Sequence, residues 1–303
     1  MSRLTAIGLS ASLLFAQWCT TSKQISSNRV RQLAPGVYCW MGDLETHQQT
    51  NCGWVVFKDY VLVIDSNFPW AAKRIVAEIR KTTSKPIQFV FNTHHHADHV
   101  YGNVVFAKEG AAIIASEDCV KECRSHGEAD VRGQVENPSE PLVCPTVGFS
   151  HRMVFDDGEQ RVELIRMSPA HTRGDAVAYL PRQKILFVGD LAVNWTHGSN
   201  VSDPGADYDA WLRVLGDLCN WDVKTVVPAH GDLATTEILK GESAYLDGMF
   251  KQVRVGIQEG KTVEQLVREN DLSRYKPFGG DSKENSDSIR DVYKYYTYSQ
   301  KQK

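Results

Sequence analysis

The tract Thr93-His94-His95-His96-Ala97-Asp98-His99 constrains this chain more than any other stretch. It follows at once on Gln88–Phe91, an apolar run that reads as a short buried strand. Imidazoles and a carboxylate at this density suit a zinc-type cation, which takes neutral His nitrogen and carboxylate oxygen. His94 and His96 are alternate residues, so in an extended segment their side chains point the same way. They are expected to grip one ion, with Asp98 and His99 facing a neighbouring ion after the chain turns. By the same alternation His95 points away and is expected to be a spacer.

Three distant positions repeat the arrangement. His171 follows the run Val162–Met167 through Ser168-Pro169-Ala170, Asp190 follows Ile185–Val188 through Gly189, and His230 follows Val226-Val227 through Pro228-Ala229. In open α/β sheets, ligands collect outside the carboxyl ends of strands. A lone His171 or His230 would more often be a hydrogen-bonded structural histidine, and a lone Asp190 a turn residue. Their joint placement favours one metal centre built from His94, His96, Asp98, His99, His171, Asp190 and His230.

The rest of the chain reads as mixed α/β. Strands are expected at Gly36–Met41, Trp54–Phe57, Val61–Ile64, Ala112–Ala115, Arg152–Phe155, Arg161–Arg166, Ala176–Leu180, Lys184–Val188 and Thr225–Val227. Helices are expected from Pro69 to Ile79, Val100 to about Lys108, after Ala115 to about Arg124, Ala206 to Leu218 (with Asp207 or Asp209 near its start), Thr236 to Val255 and Thr262 to Asn270. His126–Ser150 holds Gly, Pro and charges with little periodicity and is expected to be a surface excursion or lid. The tail from Asp271 is polar and tyrosine-rich and is expected to end in a helix packed on the body. This divides the chain into a main domain over 34–255 and a helical extension over 256–303.

The 303 residues carry a formal charge of −3 and no Lys/Arg run of five, which argues against a nucleic-acid surface. Arg3 followed by the apolar run Leu4–Phe15 has the form of an export signal, whose core is roughly 7–15 residues, with Ala16 before the cut. It is short for a membrane span of ~20 residues, so no stable membrane insertion is expected once it is removed. Cys19 offers a lipid attachment, although Gln17 and Trp18 are bulky for that processing. The expected location is periplasmic or extracellular. Export permits disulfides among the seven cysteines. Cys39 and Cys52 could face each other across a hairpin, and Cys119 and Cys123 are spaced to suggest metal binding. Most cysteines are expected to be small buried hydrophobes.

The run His94-x-His96-x-Asp98-His99, with His171-Thr172-x-Gly174-Asp175, Phe187-Val188-Gly189-Asp190 and Pro228-x-His230-Gly231 downstream, resembles the metallo-β-lactamase superfamily. The resemblance covers about Ala34 to Val255. It implies a four-layer αβ/βα sandwich of two mixed sheets flanked by helices. It assigns His94, His96 and His171 to one zinc, Asp98, His99 and His230 to a second, and Asp190 to both. Two such ions ~3.5–4 Å apart would make hydroxide available near neutral pH. The implied activity is hydrolysis of a carbonyl in a small molecule: an ester, thioester, lactone or amide, β-lactams among them. Asp98 is implied to steer the hydroxide or carry a proton, and Asp65, Thr172 and Asp175 are candidates to orient imidazoles. The best-known β-lactamases place Cys at the position of Asp190 and Lys three residues later. Here those residues are Asp190 and Val193, which resembles glyoxalase II and general hydrolases instead.

The turn Gly42–Cys52 and the residues Trp195, His197 and Asn200 are expected near the mouth of the site. An alternative within the superfamily is persulfide oxidation at a single iron; iron or manganese in place of zinc is compatible with the same donors. Flavodiiron members carry Glu where this chain has His96, and a decayed binding protein would have lost ligands that are present here. A nuclease of the superfamily fits poorly with the charge balance.

Overall fold

The computed structural model describes residues 29–42, 50–167, 169–194, 198–275 and 282–301. The expected signal segment 1–16, Cys19, most of the turn Gly42–Cys52, and Trp195 and His197 lie outside these residues.

Two mixed sheets form the centre of the molecule. The first runs in the order β1 (Val30–Ala34), β2 (Val37–Trp40), β3 (Cys52–Val56), β4 (Val61–Ile64), β5 (Ile87–Phe91), β6 (Ala112–Ser116) and β7 (Val147–Phe149). Its first four strands pair antiparallel and the rest parallel. The second runs β12 (Thr225–Pro228), β11 (Ile185–Gly189), β10 (Ala176–Leu180), β9 (Arg161–Arg166) and β8 (Arg152–Asp156), with β11 and β12 parallel.

Strand alternation explains why these runs are apolar on both sides. In β4, Leu62 and Ile64 join the core between the sheets, while Val61 and Val63 face α1 (Pro69–Thr82) on the outside. In β11, Ile185 and Phe187 face the other sheet, while Leu186 and Val188 face the opposite helical layer. That layer holds α5 (Tyr208–Leu218) and α6 (Glu237–Gln258). Three apolar clusters therefore separate four layers, helix–sheet–sheet–helix, in agreement with the expected architecture.

Helix starts follow local chemistry. Pro69 occupies the first turn of α1, where its missing N–H costs nothing. Asp207, rather than Asp209, caps α5 by accepting from Ala210 N at 2.9 Å. Beyond α6, α7 (Val263–Glu269) starts with a capping box between Thr262 and Gln265, and α8 (Ser282–Lys301) buries Ile289 and Val292 against the α5–α6 layer.

Several expectations are corrected. The helix expected from Val100 is two short helices, α2 (Ala97–Val100) and α3 (Asn103–Lys108). Gly102 separates them because a Cβ there would lie 2.0 Å from Ser66 O. The helix expected to end near Arg124 continues as α4 (Glu117–Gln134), so the first part of the supposed excursion is helical. Gly127 and the polar residues disguise this continuation. A Cβ at Gly127 would press on Leu142 of the segment that folds back over α4. That segment is tied to the helix by a disulfide, Cys123–Cys144, which removes Cys123 from any metal site. Cys39 and Cys52 are buried and free. They sit one register apart, with Trp40 opposite Cys52 and Gly53 opposite Cys39, so their side chains enter different cores. Val30 and Arg31 begin edge strand β1, ahead of the first expected strand at Gly36–Met41, and its exposure makes polar residues tolerable there.

Candidate metal centre

The candidate ligands emerge from the carboxyl ends of both sheets. His94, His96, Asp98 and His99 follow β5 and run into α2. His171 lies in the loop between β9 and β10, Asp190 directly follows β11, and His230 lies just past β12. Gly189 turns the chain with φ 57°, and its hydrogen side packs so closely on Thr93 that a Cβ would lie 2.8 Å from Thr93 Oγ1. This contact sets Asp190 against the His94–His99 tract. All seven side chains are buried.

They meet as two groups. His94 Nε2 is 3.1 Å from His96 Nδ1, which is 3.2 Å from His171 Nε2. Asp190 Oδ2 closes this group at 3.7 Å from His171 Nε2 and 4.0 Å from His94 Nε2. In the second group His230 Nε2 and His99 Nε2 stand 3.1 and 3.5 Å from Asp98 Oδ2. Asp190 Oδ1 faces this group at 3.4 Å from His99 Nε2 and 3.5 Å from His230 Nε2. Metal–ligand bonds of ~2.0–2.2 Å at tetrahedral angles put neighbouring donors about 3.3–3.5 Å apart. The second group, at 3.1–3.5 Å, lies near that spacing, the first is looser at 3.1–4.0 Å, and the two oxygens of Asp190 are divided between them.

Hydrogen bonds behind the rings select which nitrogen faces inward. Asp203 Oδ2 accepts from His96 Nε2 at 2.9 Å, leaving Nδ1 towards the group. The carbonyl of Asn200 accepts from His171 Nδ1 at 2.9 Å. Asp65 Oδ2 holds His99 Nδ1 at 3.0 Å and also takes the hydroxyl of Thr93 at 2.9 Å. Thr93 Oγ1, its proton committed to Asp65, faces His94 Nδ1 at 3.2 Å. Three imidazole lone pairs thus converge at little more than 3 Å, an arrangement that repels unless a cation or proton lies among them. The donor set fits metal ions on this ground.

Electrostatics agree. Burial holds the His94 imidazole well below its usual range, and the neighbouring His99 and His96 add to this. His171 is pushed down to about 4 by burial and by His96. At His96 burial is outweighed by the hydrogen bond to Asp203, which lifts it to about 9. At His99 burial is outweighed by Asp98, Asp65 and Asp190, which raise it well above its usual range. Burial opposes ionisation of Asp190, but His230 and His99 keep its carboxyl well below the usual range. The protein has built a pocket that wants positive charge at its centre.

The sequence missed several supporting residues. Thr50 donates its hydroxyl to Asp98 Oδ2 at 2.6 Å. Asn51 Nδ2 donates to the carbonyls of Pro228 and Gly231, stapling the His230 turn. Asp203 was also missed. Asp65 stands where it was expected. Thr172 and Asp175 bond to each other, at 2.7 and 2.8 Å, and brace the turn after His171 without touching its ring nitrogens. Asn200 lines a cavity next to His96. His95 stands in neither group; its ring is 4 % exposed and its Nε2 lies 3.6 Å from Asp203 Oδ2.

Comparison with known proteins gives this pocket a family. The model for the metallo-β-lactamase superfamily matches residues 46–230. The chain belongs to the metallo-β-lactamase superfamily. Among curated relatives, the hydroxyacylglutathione hydrolases of Brucella anthropi and Brucella ovis are 34 % and 32 % identical over 105 residues, which is 34 % of this chain. The match spans 33 % of each relative's length. Among solved structures, a metallo-β-lactamase from Pontibacter korlensis superposes with a TM-score of 0.61 at 22 % identity, covering 72 % of this chain and 98 % of that one. The DIM-1 metallo-β-lactamase gives 0.59 at 19 % identity, covering 72 % of this chain and 96 % of that one. These two structures share the superfamily fold with this chain.

Proposed function

We propose that this chain is a zinc-dependent hydrolase with a dinuclear centre, acting on a small-molecule carbonyl compound. His94, His96 and His171 would hold one ion, Asp98, His99 and His230 the other, and Asp190 both. The division of the Asp190 oxygens between the two groups, at 3.4–3.5 Å on one side and 3.7–4.0 Å on the other, carries this reading. It also favours two ions over the single iron of the persulfide-oxidation alternative. Two bound zinc ions would supply Lewis acidity to the substrate oxygen and bring the pKa of water towards ~7.

The chain's own residues do the rest. Asp203, Asn200 and Asp65 keep the inward nitrogens in place. Thr50 fixes the Asp98 carboxylate. Burial favours the neutral acid at Asp98, but His99, His230 and the Thr50 hydroxyl keep it ionised. Asp98 is thereby poised to orient the attacking water and to carry its proton to the leaving group.

An acyl-transfer substrate, thioesters first, is supported by the relatives named hydroxyacylglutathione hydrolases. β-Lactams fit less well, because Val193 is apolar and buried where the best-known β-lactamases present a lysine. The Cys123–Cys144 disulfide supports the exported, oxidising location. No helix among the described residues is long and apolar enough to cross a membrane.

The test joins metal analysis to a substrate panel of esters, thioesters, lactones, phosphoesters and a cephalosporin. Two zinc ions per chain and turnover of an acyl substrate are expected, with both lost in His96→Ala and Asp190→Ala. Iron with oxygen consumption would overturn the hydrolase assignment.

A further inference from the structure

We propose that His95 Nε2 and Asp203 Oδ2 form a third, weaker divalent-cation site, opening on a cavity beside the centre, through which excess metal lowers activity. Its effect on activity rests on the hydrolase reading; its binding of metal does not.

The two atoms are 3.6 Å apart, beyond hydrogen-bond range. That separation instead approaches the ~3.3–3.5 Å between a nitrogen and an oxygen on one tetrahedral ion. His95 has no hydrogen-bond partner at Nδ1 among the described residues, although the ring is buried. A buried imidazole without hydrogen bonds is uncommon and calls for an explanation. Each oxygen of Asp203 takes one hydrogen bond: Oδ1 accepts from Gly205 N at 2.7 Å and Oδ2 from His96 Nε2 at 2.9 Å. A carboxylate oxygen has a second lone pair to give. His95, His96 and Asp203 together place donor atoms within 4.8 Å of one another.

The surroundings favour a cation with water ligands. His95 and Asp203 line a cavity of about 420 Å³, bounded on the far side by α4. On that helix Asp130 adds a carboxylate to the lining, while Glu122 is already paired with Arg173 at 3.3 Å. The room supplies the waters that two protein donors leave uncoordinated, and those few donors make the site weaker than the main centre. Its occupant would draw on Asp203 Oδ2, the same atom that receives the His96 N–H. Loosening that bond misaligns His96 and lowers its basicity as a ligand.

Zinc alone is the probe, measured by equilibrium dialysis at limiting and at excess metal. Wild type is expected to hold two tight ions and one weak one. His95→Ala and His95→Asn should keep the tight pair and lose the weak ion. Excess zinc should lower acyl-substrate turnover severalfold in wild type and little in either variant. A wild type with no weak ion, or variants that retain it, would overturn the proposal. Variants that also lose a tight ion would show His95 to be part of the main centre and overturn it as well. Fewer than two tight ions in wild type would count against the dinuclear reading, while loss of the weak ion in the variants would still establish the third site.

Discussion

Asp203 and Thr50 act one bond behind the candidate ligands, and their removal tests how far orientation matters. Asp203→Ala leaves His96 Nε2 without its acceptor. Affinity for one ion is expected to fall by ~10–100-fold, the usual cost of losing such a partner, in chelator-competition titrations. Unchanged affinity would mean that packing alone aims the ring. Thr50→Val removes the hydroxyl on Asp98. Turnover should fall while both ions stay, so metal content and kcat must be measured on the same sample. These two residues also mark the limit of what the sequence shows. His94, His96 and Asp98 are legible because few roles suit such residues at a strand end. Thr50 and Asp203 look like any turn residues until distant loops fold onto the tract. For His95, alternation predicts the direction of the ring but not what waits there: Asp203 lies over a hundred residues away in the chain.

Among the elements, the loop 198–206 does the most for the centre. It offers the Asn200 carbonyl to His171 and Asp203 to His96, and it is held from behind. Tyr208 Oη donates to Val201 O at 2.7 Å, and Ser199 N donates to Glu242 Oε1 on α6 at 3.0 Å. Burial pushes the Glu242 carboxyl from its ordinary value near 4.5 up to about 7, against the hydrogen bonds from Ser199 and Val193. The unfolded chain loses this proton near 4.5 and the folded chain near 7, so stability from this group declines as pH rises between those values. The expected loss is on the order of 3 kcal/mol. Glu242→Gln should flatten that part of the stability–pH curve in urea titrations. An unchanged slope would assign it to other groups, Asp175 first, since burial also lifts that carboxyl to about 7. The disulfide is a second fastening. Asp130 on α4 accepts the N–H of Ala97 inside the ligand tract, and Cys123–Cys144 ties α4 to the strap that follows it. Cys123→Ser is expected to cost ~3 kcal/mol for a loop of 21 residues, read as a lower urea midpoint that reductant does not lower further. Element order was largely readable from alternation and turn residues. The C-terminal half of α4 was not, because its apolar contacts are few and Gly127 serves packing against the strap.

At the scale of the whole molecule, each donor group draws on both sheets. The first sheet leads into His94, His96, Asp98 and His99, and the second into His171, Asp190 and His230. Bound ions would therefore join the two halves as well as act chemically. Metal present at about a thousand times its Kd adds ~4 kcal/mol to the folded state. Stripping it should lower Tm by roughly 6 °C for a chain of this size, measured by calorimetry with and without chelator. An unaltered Tm would show that the centre does not bind ions tightly. The four-layer arrangement was foreseeable from the family pattern; the closing of the second sheet over the first depends on long-range packing that no local run of residues announces.

The position of His230 also has a consequence in time. During synthesis the histidine tract appears early, yet neither donor group is complete when it does. One waits for His171 and Asp190, the other for a residue beyond the final strand. Filling of the second group would therefore be a late event in biogenesis, and a ribosome-arrested product lacking β12 would carry the donors of the first group but lack His230 of the second.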